Sequence, residues 1–101
     1  MAPDTRHAFH LFTLRVNRER CGLSRDEALT ALHKRNIGSG VHYLAIPEHP
    51  FYQRTFGWRP EDTPNATAYG RETLSLPLSP KLSDRDVADV IEAVTDIFAR
   101  A

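Results

Sequence analysis

The chain has 101 residues, of which 41% are hydrophobic and 26% charged, and its thirteen basic side chains balance thirteen acidic ones. This length suits one domain and leaves no room for two, and the apolar fraction is enough for a core, which excludes a disordered chain. A net charge of zero gives the protein no electrostatic reason to bind nucleic acid or an anionic membrane.

The first half of the chain predicts strand, helix, strand. Residues 8–16 are rich in aromatic and β-branched side chains, which favours a strand with apolar groups on both faces. Residues 24–27 read Ser-Arg-Asp-Glu, a capping box that predicts a helix start. This helix should end near Asn36, because glycines follow at positions 38 and 40. A second strand is predicted over residues 41–46, before Pro47.

The second half predicts two short helices, a strand and a long helix. The short helices fall at residues 49–56 and 63–71, and leucines alternate with other residues from 74 to 78 as in a strand with one apolar face. Ser83 caps the last helix, whose apolar stripe we assign to the core. The predicted fold class is therefore α+β: a small, mainly antiparallel three-stranded sheet with helices on one face.

Catalytic signals are sparse in the sequence. The two lysines, Lys34 and Lys81, lie at a helix end and in a turn, and neither position promises the desolvated pocket that a Schiff-base lysine needs. The histidines lack metal-ligand spacing, and no nucleophile elbow or phosphate loop is present. We therefore predict no catalytic residue, no cofactor-binding residue and no metal ligand in this chain.

Two stretches, residues 38–43 and 47–52, hold the best candidates for binding. They place polar side chains, aromatic rings and prolines around the predicted second strand, which begins directly after two glycines. His and Tyr side chains supply hydrogen-bond donors and acceptors at neutral pH, so the stretches can line a cleft. An aromatic cluster with a purely structural role explains the same pattern.

These stretches also carry a family resemblance. Residues 36–43, Asn-Ile-Gly-Ser-Gly-Val-His-Tyr, resemble a Gly-Ile-Gly-(Ser/Thr)-Gly-x-His-(Tyr/Phe) segment of the DegT/DnrJ/StrS sugar aminotransferases, and residues 49–52 resemble the His-x-x-Tyr-Tyr stretch that follows it. Residues 74–80 resemble the family's Ser-Leu-Pro-Leu signature, and residues 10–12 resemble the strand that opens its small domain. Four segments in the right order are more specific than any one of them.

The resemblance implies that residues 1–101 are the C-terminal small domain of a pyridoxal-phosphate (PLP) enzyme that moves an amino group from glutamate to a keto-sugar nucleotide. In that family the large domain holds PLP and its Schiff-base lysine, and those segments have no counterpart here. The resemblance therefore implies a fragment that is inactive by itself and binds no cofactor alone. It gives substrate-proximal roles to Ser39, His42 and Tyr43, and to His49, although residues 44–48 depart from the commoner spacing before that histidine.

The partners that we expect are the large PLP domain or a partner aminotransferase subunit, with a nucleotide sugar as ligand, and neither nucleic acid nor membrane. Self-association is an alternative, because the apolar faces of the first strand would otherwise be bare. Two other hypotheses stay open: a non-catalytic module that binds a nucleotide sugar or caps another subunit, and an unrelated α+β interaction domain. A lone cysteine, Cys21, and the lack of a long apolar run favour a soluble, cytoplasmic protein.

Overall fold

The computed structural model describes residues 2–99, which form two β-strands, five α-helices and two single-turn 3₁₀ helices. The 3₁₀ helices are Ile46–Glu48 and Pro60–Asp62. In chain order, the strands and α-helices are β1 (Phe12–Arg15), α1 (Arg18–Cys21), α2 (Arg25–Lys34), α3 (Pro50–Phe56), α4 (Pro64–Glu72), β2 (Thr73–Leu76) and α5 (Asp84–Ala99). The α+β class is confirmed.

The sheet consists of β1 and β2, which pair antiparallel with Phe12 opposite Leu76 and Arg15 opposite Thr73. On the other edge of β2, Gly40 forms a single bridge: the Ser75 N–H donates to the Gly40 carbonyl at 2.8 Å, and the Gly40 N–H donates back at 3.3 Å. The described residues therefore hold a two-stranded sheet with one extra bridge. The three-stranded prediction was wrong in its middle strand, over residues 41–46.

The reason lies at the free edge of β2. The backbone groups of Thr73 face the same edge as the Gly40 bridge, because hydrogen-bonding direction alternates along a strand. The Thr73 N–H donates to the Tyr69 carbonyl at the end of α4, and its carbonyl accepts from Nη1 of Arg25 at 2.9 Å. A third strand has no free partner there, so residues 41–46 leave the sheet.

Residues 43–45 pack instead on α4, where Gly70 allows two backbones to approach closely. A β-carbon at position 70 would lie 2.8 Å from the Tyr43 carbonyl oxygen and 2.9 Å from the Ala45 nitrogen. Contacts between real side chains and backbone do not reach such distances. Gly70 therefore fixes the path of the chain that leads from Gly40 to α3.

The hydrophobic core lies on one face of the sheet. Val16 and Leu74 pack there against α2 and α5, and Leu32 and Ala28 of α2 are fully buried. The apolar stripe of α5 belongs to this core only in part: Ile97 is buried and Val94 and Phe98 pack against the core, whereas Val87 and Ile91 are exposed. The prediction that the whole stripe is core was therefore wrong for the first half of α5.

The prediction that all helices lie on one face was also wrong. Side chains alternate between the two faces of a strand, so Thr13 points away from the core. Its hydroxyl lies 3.2 Å from Oη of Tyr69, which places α4 on the face opposite α2 and α5. That second face carries polar side chains of both strands.

The starts of α2 and α5 follow their predicted caps. Oγ of Ser24 accepts from the Glu27 N–H at 3.2 Å, and Glu27 returns a bond to the Ser24 N–H at 3.1 Å. At the start of α5, Ser83 and Asp86 make the same reciprocal pair, at 3.1 and 2.9 Å. The backbone and side-chain hydrogen bonds from Ser83 lower the pKa of Asp86 below its usual value. Within residues 2–99, no helix combines the length and apolar character needed to cross a bilayer.

Candidate functional site

A cleft of about 350 Å³ opens beside the Gly40 bridge, and we call it the Gly40 cleft. Residues of the N-terminal segment, the loop after α2 and the strand β2 form its walls. They are His10, Leu11, Gly38, Ser39, Gly40, His42, Ser75, Leu76 and Leu78. Two of the four predicted substrate-binding residues, Ser39 and His42, line it.

Two side chains contact the imidazole of His42. Its Nδ1 lies 2.8 Å from Oγ of Ser75, which is buried. The ring of Tyr43 meets it edge to face, with ring centroids 4.7 Å apart and planes at 86°. A β-carbon added to Gly40 would lie 3.7 Å from Cε1 of His42, so a small side chain at position 40 would be in ordinary contact with the ring.

Ser39 contributes a buried hydroxyl to the turn that precedes Gly40. Its Oγ has no hydrogen-bond partner among the described residues. The carbonyl of the same residue accepts from Nε2 of His33 at 3.1 Å, so the backbone of the turn is anchored to α2. Buried polar atoms are rarely left unpaired in folded proteins, so this hydroxyl suits a group that enters the cleft.

The other two predicted residues lie elsewhere. The side chain of Tyr43 is 68% exposed and is not part of the cleft wall, although its ring contacts His42. His49 is exposed at the residue before α3, where its carbonyl accepts from the N–H groups of Tyr52 and Gln53. The structure therefore brings Ser39 and His42 together and leaves His49 outside the cleft.

Two cleft residues had no functional role in the sequence analysis. Ser75 comes from a strand 33 positions after His42, and His10 comes from the segment before β1. One feature of the sequence could have indicated the position of Ser75. It stands between Leu74 and Leu76, and because side chains alternate along a strand, it must face away from the core. Only the tertiary structure shows that this face meets His42.

The second candidate stretch builds an aromatic cluster rather than a wall of the cleft. Trp58 stacks on Tyr52 with centroids 5.8 Å apart and planes at 4°, and on Phe56 at 4.8 Å and 24°. Phe51 meets Tyr52 edge to face at 5.1 Å. The cluster ties the loop after α3 to the helix, which agrees with the structural explanation of this pattern.

A polar network covers the second face of the sheet next to this region. The hydroxyls of Thr13 and Thr73, and then the guanidinium of Arg15, lower the pKa of the Tyr69 phenol. The Arg15 guanidinium lies 5.6 Å from the centroid of the Tyr69 ring and also pairs with Glu72 at 2.5–2.9 Å. These contacts join α4 to β1.

A second, apolar hollow of about 310 Å³ lies at the start of α5, and we call its lining the apolar face. The lining consists of Phe12, Leu76, Pro77, Leu78, Leu82, Val87, Val90 and Ile91. Phe12 is 54% exposed, Val87 44% and Ile91 61%. Contiguous exposed apolar surface with no charged side chain in its lining is typical of a surface that another chain or domain covers.

The residues present do not fit PLP. A lysine that holds PLP needs a pocket that desolvates its amine, whereas Lys34 and Lys81 are both exposed and neither lines the Gly40 cleft. The described part of the chain also lacks a cluster of three His, Cys, Asp or Glu side chains placed to hold a metal. Its polar groups can bind and orient a ligand.

Several known sequences are similar to this chain over nearly its whole length. The model of the DegT/DnrJ/EryC1/StrS aminotransferase family matches residues 1–95. The chain is 52% identical over 99 residues to the spore coat polysaccharide biosynthesis protein SpsC of Bacillus subtilis, and 42% identical over 94 residues to the uncharacterized protein MJ1066 of Methanocaldococcus jannaschii. These matches cover 97% and 93% of this chain but 25% and 24% of the relatives.

Solved structures show the same relationship. The apo form of Spr1654 from Streptococcus pneumoniae, described as a sugar aminotransferase, matches with a TM-score of 0.79 and 32% identity. Its PLP form matches with a TM-score of 0.78 and 30% identity. The match covers 90% of this chain and 22–23% of the Spr1654 chain. The chain thus spans about a quarter of the length of the proteins that it resembles.

Proposed function

The chain belongs to the DegT/DnrJ/EryC1/StrS aminotransferase family, and from this membership we propose that it is the C-terminal small domain of a PLP-dependent nucleotide-sugar aminotransferase. The complete enzyme would transfer an amino group from glutamate to a keto-sugar nucleotide in polysaccharide biosynthesis. The observation that carries this proposal is the coverage: nearly the whole chain matches only a quarter of SpsC. In this proposal residues 1–101 form one domain, and a separate large domain holds PLP.

The Gly40 cleft is the proposed contribution of this domain to the active site. The unpartnered hydroxyl of Ser39 and the imidazole of His42 are suited to bind hydroxyl or phosphate oxygens of a nucleotide sugar. Tyr43 would contact the same substrate from the rim, because its ring is exposed beside His42. His49 stays a candidate only for a substrate that extends beyond the cleft. The catalytic amine would come from the rest of the enzyme.

The apolar face supports the need for a partner. A surface of Phe12, Val87 and Ile91 in contact with water loses the free energy that burial would give, about 25 cal/mol for each Å² of apolar area. We propose that the large PLP domain, or a partner aminotransferase subunit, covers this face. Self-association of the chain would cover it in the absence of that partner.

A second candidate function has one observation in its favour. The Gly40 cleft has polar groups in its wall, whereas the two lysines of the chain, Lys34 and Lys81, are exposed and do not line it. A non-catalytic module would need that combination, either to bind a nucleotide sugar or to cap another aminotransferase subunit. The two candidates differ in whether the cleft binds ligand without a partner.

The test starts with the purified chain, PLP and glutamate. We expect no PLP aldimine specific to the chain and no 2-oxoglutarate above the rate of free PLP, because neither Lys34 nor Lys81 lies in a desolvated pocket. Formation of 2-oxoglutarate by the chain alone, at a rate above that of free PLP, would overturn the proposal. Calorimetric titration with UDP-glucose then separates the candidates, since tight saturable binding by the chain alone favours the module.

His42→Ala locates any binding that is seen. His7→Ala is the matched control, because His7 is exposed and does not line the cleft. We expect the first variant to weaken UDP-glucose binding about three- to ten-fold, as expected for one lost hydrogen bond, and the second to leave it unchanged. Equal effects of the two variants would place the binding site outside the Gly40 cleft.

A further inference from the structure

Ser75 has three connections that fix its position. Its N–H and its carbonyl both bond to Gly40, and its Oγ lies 2.8 Å from Nδ1 of His42. Its residue surface is 5% exposed, so water competes little for these bonds. The side chain is therefore a rigid attachment point on β2 for the ring of His42.

The ring of His42 has one polar atom left for a ligand. Nδ1 is engaged by Ser75, while the edge-to-face contact with Tyr43 limits rotation of the ring. In a neutral imidazole the bond made by one nitrogen determines what the other can donate or accept. Nε2 is therefore the ring nitrogen that a group in the Gly40 cleft can reach.

We propose that Ser75 is a positioning residue, which holds the imidazole of His42 so that Nε2 is presented to the oxygen atoms of a nucleotide sugar in the Gly40 cleft. This inference rests on the proposed function for its ligand and on the described geometry for the orientation of the ring. Ser75 itself does not need to touch the ligand. Its effect on binding passes through His42.

The side chains of β2 alternate between the two faces of the sheet, so the positioning role of Ser75 can be distinguished from a role in core packing. Leu74 and Leu76 point to the core, so the side chain at position 75 adds nothing to that packing. Alanine at this position would keep both backbone bonds to Gly40 and lose only the bond to His42. Threonine would keep the hydroxyl and is favoured in strands.

The first experiment measures the ring of His42 directly in the whole chain. Long-range ¹H–¹⁵N spectra at pH 7.5 report the two ring nitrogens, and His42→Ala identifies the signal by its loss. We expect one dominant tautomer in the native chain and in Ser75→Thr, and averaging of the two nitrogen shifts in Ser75→Ala. Ser79→Ala is the matched control, because Ser79 is exposed and lies outside the cleft.

The second experiment asks whether Ser75 acts through His42. UDP-glucose affinity is measured for Ser75→Ala, His42→Ala and the double variant, with inorganic phosphate as a second probe. We expect each single change to weaken UDP-glucose binding about three- to ten-fold and the double change to add less than two-fold. Backbone amide shifts of Gly40 that match the native chain show that the sheet is intact.

Several results would overturn the inference. Unchanged ring signals of His42 in Ser75→Ala would show that the hydroxyl does not orient the ring. Multiplicative losses in the double variant would show that Ser75 does not act through His42. If the native chain binds no UDP-glucose, binding needs the rest of the enzyme, as the main proposal expects, and the ring spectra alone then decide the positioning role.

Discussion

The guanidinium of Arg25 donates from Nη1 to the backbone carbonyl of Thr73 at 2.9 Å, at the edge of β2 where a third strand would otherwise add. The same nitrogen donates to the carbonyl of Gly70 at 2.8 Å, and Nε pairs with Asp26 at 2.6 Å. Arg25 is 9% exposed, so its bonds to the two carbonyls form away from water. One side chain at the start of α2 thus holds the junction of α4 and β2.

Arg25→Ala should destabilise the chain by roughly 2–4 kcal/mol, because it leaves the carbonyls of Gly70 and Thr73 buried without a donor. Urea denaturation at micromolar concentration measures the free energy of unfolding. Arg20→Ala is the control, since Arg20 is exposed on α1, and its effect should stay within about 0.5 kcal/mol. A loss for Arg25→Ala no larger than that of the control would contradict this role.

Gly70→Ala should be destabilising by about 1–3 kcal/mol and should displace residues 43–45. The added β-carbon would meet backbone atoms at 2.8–2.9 Å, and backbone on both sides cannot move as a flexible side chain can. Gly38→Ala is the matched control, because nothing lies within 4 Å of a β-carbon there. Thermal unfolding gives the stability, and the amide shift of His42 reports the displacement. Equal midpoints for the two variants would refute the close packing at Gly70.

Local features of this fold could be predicted from the sequence, and those that depend on distant residues could not. The capping box at Ser24 and the N-cap at Ser83 depend on residues within one helical turn, so both could be predicted. The prediction of a third strand was wrong because Arg25, 48 positions before Thr73, donates to the Thr73 carbonyl at the edge of β2 where that strand would pair. The sequence of residues 41–46 gives no sign that the backbone groups at this edge of β2 already have partners.

The residues of the candidate site also fall into two groups: those that the sequence predicts and those that only the structure brings together. Ser39 and His42 lie three residues apart in one turn, and the resemblance found both of them. Ser75 belongs to another element, and only the pairing of β2 with Gly40 brings its hydroxyl to the ring. His49 lies seven residues after His42, and the 3₁₀ turn Ile46–Glu48 carries it away from the cleft. The family motifs therefore predicted two residues of the wall of the Gly40 cleft, and the pairing of β2 with Gly40 added Ser75.

Asp86→Asn should lower the stability at pH 7, because the carboxylate accepts from the Ser83 N–H in the positive first turn of α5. The folded state lowers the pKa of Asp86 below 3.8, so it favours the charged form. The stabilisation is therefore complete above about pH 3.8 and is lost as the pH falls through the lower folded value. The difference between the variant and the native chain should shrink over that acid range in urea denaturation.

Asp84→Asn is the control for that prediction. It removes one negative charge from the same helical turn and leaves the reciprocal bonds of Ser83 and Asp86 in place. Its loss of stability at pH 7 should be smaller than that of Asp86→Asn. Equal losses would show that the charge near the helix start matters, and that the bond to Ser83 does not.

Ile91→Glu should prevent self-association of the isolated chain without unfolding it. Ile91 is 61% exposed in the apolar face, so a charge there is solvated in the monomer and would be buried in any assembly that covers the face. Light scattering coupled to size exclusion measures the molar mass as the concentration rises. The native chain should form larger species, and Ile91→Glu should stay at 11.4 kDa.

Ile46→Glu provides the matched control, because Ile46 is 53% exposed and lies outside the apolar face. It introduces the same charge and should leave self-association unchanged. A monomeric native chain at all concentrations, or an equal effect of the two variants, would contradict the assignment of this face.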